Sequence, residues 1–251
     1  MTARRALVSA AMTLLLFSVV SAGAQTPPSG PPQLVLQTGH AYPVHAIAWS
    51  PEGRWLVTGS ADHTAKIWEA ATGREVRTLP QHTGIVRAVA WSPDGRLIAT
   101  GSEDTTVVVW DAAAGVVLHT LRGHDRIVRA TTFTPDGQRL LTGAEDGTIR
   151  VWDLATGKEV ATLRGHRDAV SVLAVSPDGK ALASGGVDSA AVLWDLTAAR
   201  ERRRLAHDRD VDAVAWSADG LRLATGSGTT ATICDVVNGR SERYKHWLTY
   251  I

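Results

Sequence analysis

The chain of 251 residues has one cysteine, two phenylalanines and a net charge of only +1. A single cysteine, Cys234, excludes an internal disulfide framework and any zinc or haem motif built on paired cysteines. The near-balanced charge, with acids and bases interspersed, supplies no field that would draw a nucleic acid or an anionic membrane surface. The apolar run from Ala6 to Val20 has 15 residues, short of the about 20 needed to cross a bilayer. It follows Arg4 and Arg5 and precedes Ala22-Gly23-Ala24, the order of charge, apolar core and small residues that a signal peptidase reads. Residues 1–24 are therefore expected to be a secretory signal peptide cut between Ala24 and Gln25, with no stable membrane span left afterwards. The mature chain is expected to be exported to the periplasm or medium of a bacterium. No cysteine follows the apolar run to carry a lipid, and Arg4-Arg5-Ala6-Leu7-Val8 fits a twin-arginine signal only loosely. Residues 25–33, rich in Pro, Ser and Gly, read as an exposed linker.

What the chain has in plenty is repetition. His40, His82, His124 and His166 stand 42 residues apart, and His207 follows 41 later. Each of the first four is answered 28 residues on by Trp68, Trp110, Trp152 or Trp194. A period of this length, opened by Gly-His and closed by Trp-Asp, marks a four-stranded propeller blade. Repeats of this kind stack into one continuous core, so one domain is expected over residues 34–245. Its units run 40–81, 82–123, 124–165, 166–206 and a degenerate 207–245, with a tail at 246–251.

The repeat also decides how its reactive residues are read. Each of the first four units carries Thr58, Thr100, Thr142 or Ser184 ten residues before the Trp, and Asp62, Asp104, Asp146 or Asp188 six before it. Hydroxyl, imidazole and carboxylate could make a nucleophile, a base and its orienter. A catalytic set occurs once, however, in a cleft; four copies at one spacing point to structure.

In the second unit the β-branched runs predict strand a over Ile85 to Trp91, b over Leu97 to Gly101, c over Thr106 to Trp110 and d over Val116 to Leu121. The turn between a and b is written as Ser50-Pro51-Glu52-Gly53 and repeated, with Ala218 replacing Pro only in the fifth unit. The turn from c to d reads Thr72-Gly73, Ala114-Gly115, Thr156-Gly157 and Asn238-Gly239, but Ala198-Ala199 in the fourth unit, where a less regular hairpin is expected. Small residues such as Ala88 and Ala90 suit the crowded inner strand. The large ones alternating with them, Trp49, Trp91, Phe133 and Trp216, are expected to fill the space between blades.

On these residues the chain resembles the WD40-repeat family, from about Leu34 to Asn238. The resemblance implies an all-β fold, a WD40 β-propeller of five four-stranded antiparallel blades. In that family His, Ser or Thr, Asp and Trp form a hydrogen-bonded tetrad in each blade. The carry-over gives His40, Thr58, Asp62 and Trp68; His82, Thr100, Asp104 and Trp110; His124, Thr142, Asp146 and Trp152; and His166, Ser184, Asp188 and Trp194. Glu69 departs from the Trp-Asp pattern, and the fifth unit loses its Asp around Gly226-Ser227-Gly228 and its Trp to Cys234, keeping His207 and Thr225. Family members usually close with seven blades, sometimes eight. Two readings follow, an incomplete ring from a truncated reading frame and a five-bladed ring with a degenerate last blade. Leu34-Val35-Leu36 matches the strand that completes the last blade in this family. The unpaired blade faces of an incomplete ring would favour self-association.

No enzyme activity, cofactor or metal site is expected, because no site rises above the repeat. Residues five past each His, namely His45, Arg87, Arg129, Ser171 and Asp212, are expected to ring one mouth of the channel, with Glu103 and Glu145 beside them. They are read as a rim that binds a protein or peptide, or as plain surface ion pairs. Arg200 to Arg204 is a second charged segment, more consistent with a protected edge strand. A non-enzymatic scaffold for protein–protein interaction is the leading reading; the alternative is the propeller part of a larger enzyme or sensor. A sugar-binding propeller would need Tyr42, Trp55 and Trp247 to converge on a pocket.

Overall fold

The computed structural model describes residues 39–245, and within them each unit of the repeat becomes one four-stranded antiparallel sheet. Blade one holds β1 (Val44–Trp49), β2 (Trp55–Ser60), β3 (Ala65–Glu69) and β4 (Arg74–Leu79); blade two holds β5 (Val86–Trp91), β6 (Leu97–Ser102), β7 (Val107–Asp111) and β8 (Val117–Leu121). Blade three follows with β9 (Val128–Phe133), β10 (Arg139–Ala144), β11 (Thr148–Asp153) and β12 (Lys158–Arg164). Blade four is β13 (Val170–Val175), β14 (Ala181–Gly186), β15 (Ala190–Asp195) and β16 (Arg200–Ala206). Blade five is β17 (Val211–Trp216), β18 (Arg222–Ser227), β19 (Thr230–Asp235) and β20 (Ser241–Lys245). Strands neighbour one another in chain order in every sheet, as hairpin connections require. Among the described residues no helix is long and apolar enough to cross a membrane. The expected signal peptide, the linker, the strand at Leu34–Leu36 and the tail at 246–251 lie outside the described residues.

The turns take the form their sequences dictate. Gly53, Gly95, Gly137, Gly179 and Gly220 all adopt φ between 68° and 71°, the left-handed region open to glycine. In blade five the turn closes without proline, through the Gly220 amide donating to the Ser217 carbonyl at 2.9 Å. The fourth c–d hairpin differs from the others in its turn, as expected, and keeps its strand pairing. Ala199 is held at φ 48°, where its counterparts are glycines at 67° to 73°, and Asp195 still pairs with Arg200. Strand pairing imposes the turn, and the alanine bears the strain.

Successive blades join by a repeated fit of a valine against a glycine. A Cβ on Gly59 of β2 would lie 2.7 Å from Cγ1 of Val86 in the next blade, and Gly101 with Val128, Gly143 with Val170 and Gly185 with Val211 repeat the approach at 2.5 to 2.7 Å. Only a residue without a side chain allows the valine so close. Around this contact the core is apolar: Val57, Ile67 and Leu79 of blade one pack with Val86, Ile98 and Trp110 of blade two. Phe133 and the half-buried Trp91 sit in these interblade clusters, as expected of the large residues on strand a. The Trp216 indole donates to the Ala174 carbonyl of the preceding blade at 2.9 Å. Trp49 does not follow them: it is 45% exposed, because blade one has no described blade before it.

Candidate functional site

The four predicted tetrads are brought together at hydrogen-bonding distance. In blade two, His82 Nδ1 lies 2.9 Å from Asp104 Oδ2, His82 Nε2 lies 2.8 Å from Thr100 Oγ1, and the Trp110 indole donates to that hydroxyl at 3.0 Å. His40 with Asp62 and Thr58, His124 with Asp146 and Thr142, and His166 with Asp188 and Ser184 keep the same arrangement within 2.7 to 2.9 Å. Trp68, Trp152 and Trp194 donate to the same hydroxyls at 2.8 to 2.9 Å. The chemistry fixes the protons. A carboxylate can only accept, so Nδ1 carries the hydrogen; Nε2 then accepts from the hydroxyl, whose oxygen accepts from the indole. Each Asp also takes a backbone amide just past the His, from Ala41, Thr83, Asp125 or Arg167 at 2.9 to 3.1 Å.

Two further members were not anticipated. Thr64, Thr106 and Thr148, two residues past the Asp, donate their hydroxyls to it at 2.6 to 2.7 Å, while blade four has Ala190 there. The signal was present in the sequence as Asp-x-Thr, but it is readable only once the turn is known. The residue between them is left-handed in all four blades, at His63, Thr105, Gly147 and Ser189. Blade four compensates through Arg204, whose Nη1 lies 3.3 Å from Asp188 and whose Nη2 donates to the Gly165 carbonyl at 2.6 Å. The Arg200–Arg204 segment is thus strand β16, with Arg204 tied to its own blade and Arg203 lying over Gly239 of the next.

These contacts shift the carboxylates strongly. Burial alone pushes the Asp104 pKa up, but the Thr106 hydroxyl and the Thr83 and Thr106 amides outweigh it and bring it down to about 2. Asp62, Asp146 and Asp188 are also lowered for the same balance of reasons. The His166 pKa is lowered, first by burial and against the pull of Asp188, which favours the neutral ring the network needs.

The expected rim residues share one backbone feature. The pairing of strand a with strand b slips between Val44 and Ala46, Val86 and Ala88, Val170 and Val172, and Val211 and Ala213, with the matching slip opposite Val128 in β9. His45, Arg87, Arg129, Ser171 and Asp212 are the bulged residues. A bulge leaves one residue unpaired and re-aims its side chain. The same geometry therefore presents five positions with four kinds of side chain. Arg87 donates to Glu103 through Nε at 2.8 Å and Nη2 at 2.6 Å, and its Nη1 reaches His45 Nδ1 of blade one at 3.1 Å. Arg129 pairs likewise with Glu145. The His45 pKa is lowered by burial and by Arg87, whereas that of Asp212 is raised by burial and by Asp210.

Tyr42 is exposed, Arg54 lies over the Trp55 ring at 4.7 Å, and Trp247 lies outside the described residues. A cavity of about 270 Å³ opens between blades four and five, lined by polar groups including Asp178, Lys180 and Arg202 with Trp216. Among the described residues no cluster of three or more His, Cys, Asp or Glu could hold a metal ion.

Five repeating blades, four of them closed by the tetrad, define a WD-repeat protein. The family described as WD domain, G-beta repeat matches residues 31–69, 73–111, 115–153, 157–195 and 200–235, most of the chain, and the chain belongs to it. Among curated proteins, human ribosome biogenesis protein BOP1 is 46% identical over 48 residues, 19% of this chain and 6% of that protein. The homolog of that protein from Anopheles gambiae matches at 46% over 48 residues, with the same coverage. The Drosophila melanogaster homolog is 51% identical over 41 residues, 16% of this chain and 5% of that protein. The chain therefore spans only a small fraction of these relatives. A match of about one repeat in length carries the blade and not a role in ribosome assembly.

Proposed function

We propose that this chain is a non-enzymatic scaffold that binds a protein or peptide on the rim formed by His45, Arg87, Arg129, Ser171 and Asp212, with Glu103 and Glu145. The observation that supports it most is the contrast within each blade: the tetrads repeat one chemistry, while the bulge positions, held by the same backbone slip, change theirs from blade to blade. Along the array the rim runs from basic to acidic groups, a pattern suited to an extended ligand carrying both charges. The ion pairs Arg87–Glu103 and Arg129–Glu145 are half exposed and contribute only about 0 to 1 kcal/mol each to folding, so little stability is lost if a partner rearranges them.

The tetrads are assigned to structure. Thr100, Thr142 and Ser184 are fully buried, and each hydroxyl gives its proton to a histidine while accepting an indole hydrogen. A hydroxyl so buried has no access to a substrate. The balanced charge and the expected signal peptide support a bacterial exported protein that binds no nucleic acid.

The rim is tested by carrying Arg87→Glu and Arg129→Glu as a pair on the full chain. Affinity purification from the exported fraction, with mass spectrometry, should recover a partner with the parent and lose it with the double variant at an unchanged melting temperature. A partner retained by the double variant would refute the rim. An intact segment from Met1 to Ala24 in the native protein, seen by mass spectrometry, would refute export through cleavage.

A further inference from the structure

The two ends of the blade array expose complementary halves of one interface. Val86, Val128, Val170 and Val211 are completely buried against the preceding blade, and Val44, their equivalent on β1, is 51% exposed. Ile47, on the same strand, is 56% exposed. At the other end, a Cβ on Gly226 would meet only Ala213 of its own sheet, with no valine on it, although Gly59, Gly101, Gly143 and Gly185 each receive one. Ile233 holds the register of Ile67, Val109, Val151 and Leu193, which are at most 4% exposed, yet Ile233 is 39% exposed. Tyr244, in the register of Leu79, Leu121 and Leu163, is exposed as well.

From this correspondence we propose that a second copy of this chain docks head to tail, with Val44 of one copy seated on Gly226 of the other. The four interblade joints inside the molecule record what covers each face, namely the opposite face of another blade of the same repeat. Among the described residues no other blade covers either face, and both are on one molecule. Trp49 then stands where Trp216 stands at the last internal joint, and its indole would donate to the Ala215 carbonyl of the other copy as Trp216 does to Ala174. Contact between unlike faces is heterologous, so it closes a ring if the rotation allows and otherwise continues into a filament. The inference does not depend on the rim reading, because the rim lies at the bulges and the joint on the blade faces.

Sedimentation velocity of the purified full chain over a dilution series tests it. The parent should form species above monomer mass that dissociate on dilution. Val44→Arg places a charge on the free valine position, and Gly226→Ile fills the free socket. Each variant alone should need about tenfold or more higher concentration to associate, about 1.4 kcal/mol. An equimolar mixture should give a heterodimer that grows no further, since one variant keeps the only sound socket and the other the only sound valine. Ile47→Lys, also on the exposed face, replaces Val44→Arg should that variant melt early. A parent that is monomeric at every concentration, as it would be if its own terminal segments or another protein covered these faces, would overturn the proposal. So would association that both variants leave intact, or a mixture of folded variants that fails to pair.

Discussion

Blade four ties His166 to Asp188 at 2.9 Å and to Ser184 at 2.7 Å, and the Trp194 indole donates to the same hydroxyl at 2.8 Å. Blade five keeps one contact of this set, Thr225 to His207 at 3.2 Å. The cause is local. Ser227 pairs with Thr230, so only Gly228 and Thr229 remain in the b–c turn, where blade one has Ala61, Asp62 and His63 between Ser60 and Thr64. The shortened turn has lost the position of the Asp, and Cys234 occupies the register of the tryptophan, opposite Leu223 as Trp194 is opposite Leu182. Both sheets nevertheless pair in the same order. Strand pairing and turn chemistry therefore suffice to build a blade, and the tetrad adds a lock across its b–c turn.

The sharpest way to break the difference is to unlock blade four. Asp188→Ala removes the acceptor for His166 Nδ1 and for the Arg167 amide in a site where the Asp side chain is only 3% exposed. Each stranded donor costs about 1 to 3 kcal/mol, which places the loss near 3 kcal/mol and lowers Tm by several degrees. Thr225→Val in blade five should cost about 1 kcal/mol, since a single hydrogen bond is lost. Equal losses, measured by thermal unfolding of both variants, would show that the tetrad is not the lock.

The same comparison should be visible without mutation. Stability in a repeat array is roughly a sum of unit and neighbour terms, so a unit lacking its lock and its outer neighbour opens first. Amide exchange from His207 to Lys245 should be faster than in β6, β10 and β14, and the buried Cys234 thiol should react with a labelling reagent before global unfolding. Cys234 labelled at the global unfolding rate would contradict this.

Acid should narrow the gap. Asp104, lowered to about 2, represents the locked blades. A carboxyl whose folded pKa is depressed contributes stability in full above the ordinary value near 4 and loses it as pH falls through the folded pKa, here between about 4 and 2. In blade five Asp212 is shifted the opposite way, raised by burial and by Asp210, so its protonation favours the folded state as pH falls. Exchange rates in blades two to four should therefore approach those of blade five on moving from pH 5 to pH 3, values chosen to straddle the ordinary carboxylate range. A difference that widens would refute the assignment of the lowered pKa to the tetrads.

The sequence made the repeat legible because blade, turn and tetrad are each written at one spacing, and strand bounds in the second unit come within one residue of the structure. The expected rim positions come from counting from the histidine, but the bulge at each of them could not be read that way, since a one-residue slip leaves the alternation of Val86 and Ala88 looking like an ordinary strand. The Arg204 tie to Asp188 was missed because it crosses from strand d to the b–c turn, a distance no local pattern spans. Exposed end faces were expected of an incomplete ring, but Val44 and Ile233 could not be picked out as the residues on them. Their residue types match buried equivalents, and only the arrangement of neighbours distinguishes them.

The smallest expected effect lies in the c–d hairpins, where the advantage reverses. Blade five has Gly239 at φ 73° and blade four has Ala199 at φ 48° in the same turn. An L-residue with a Cβ pays about 1 kcal/mol in this region, against which stands the greater freedom that glycine loses on folding. Ala199→Gly should therefore stabilise the protein by up to about 1 kcal/mol. Gly239→Ala should cost at least as much, because the new Cβ would lie 2.1 Å from Nη1 of Arg203 and that side chain must also move. Denaturant unfolding of the two variants, with amide exchange to locate the change, reads both signs. Were Ala199→Gly neutral and Gly239→Ala still costly, the penalty in blade five would belong to the Arg203 contact and not to the backbone, and the alanine hairpin of blade four would carry no strain.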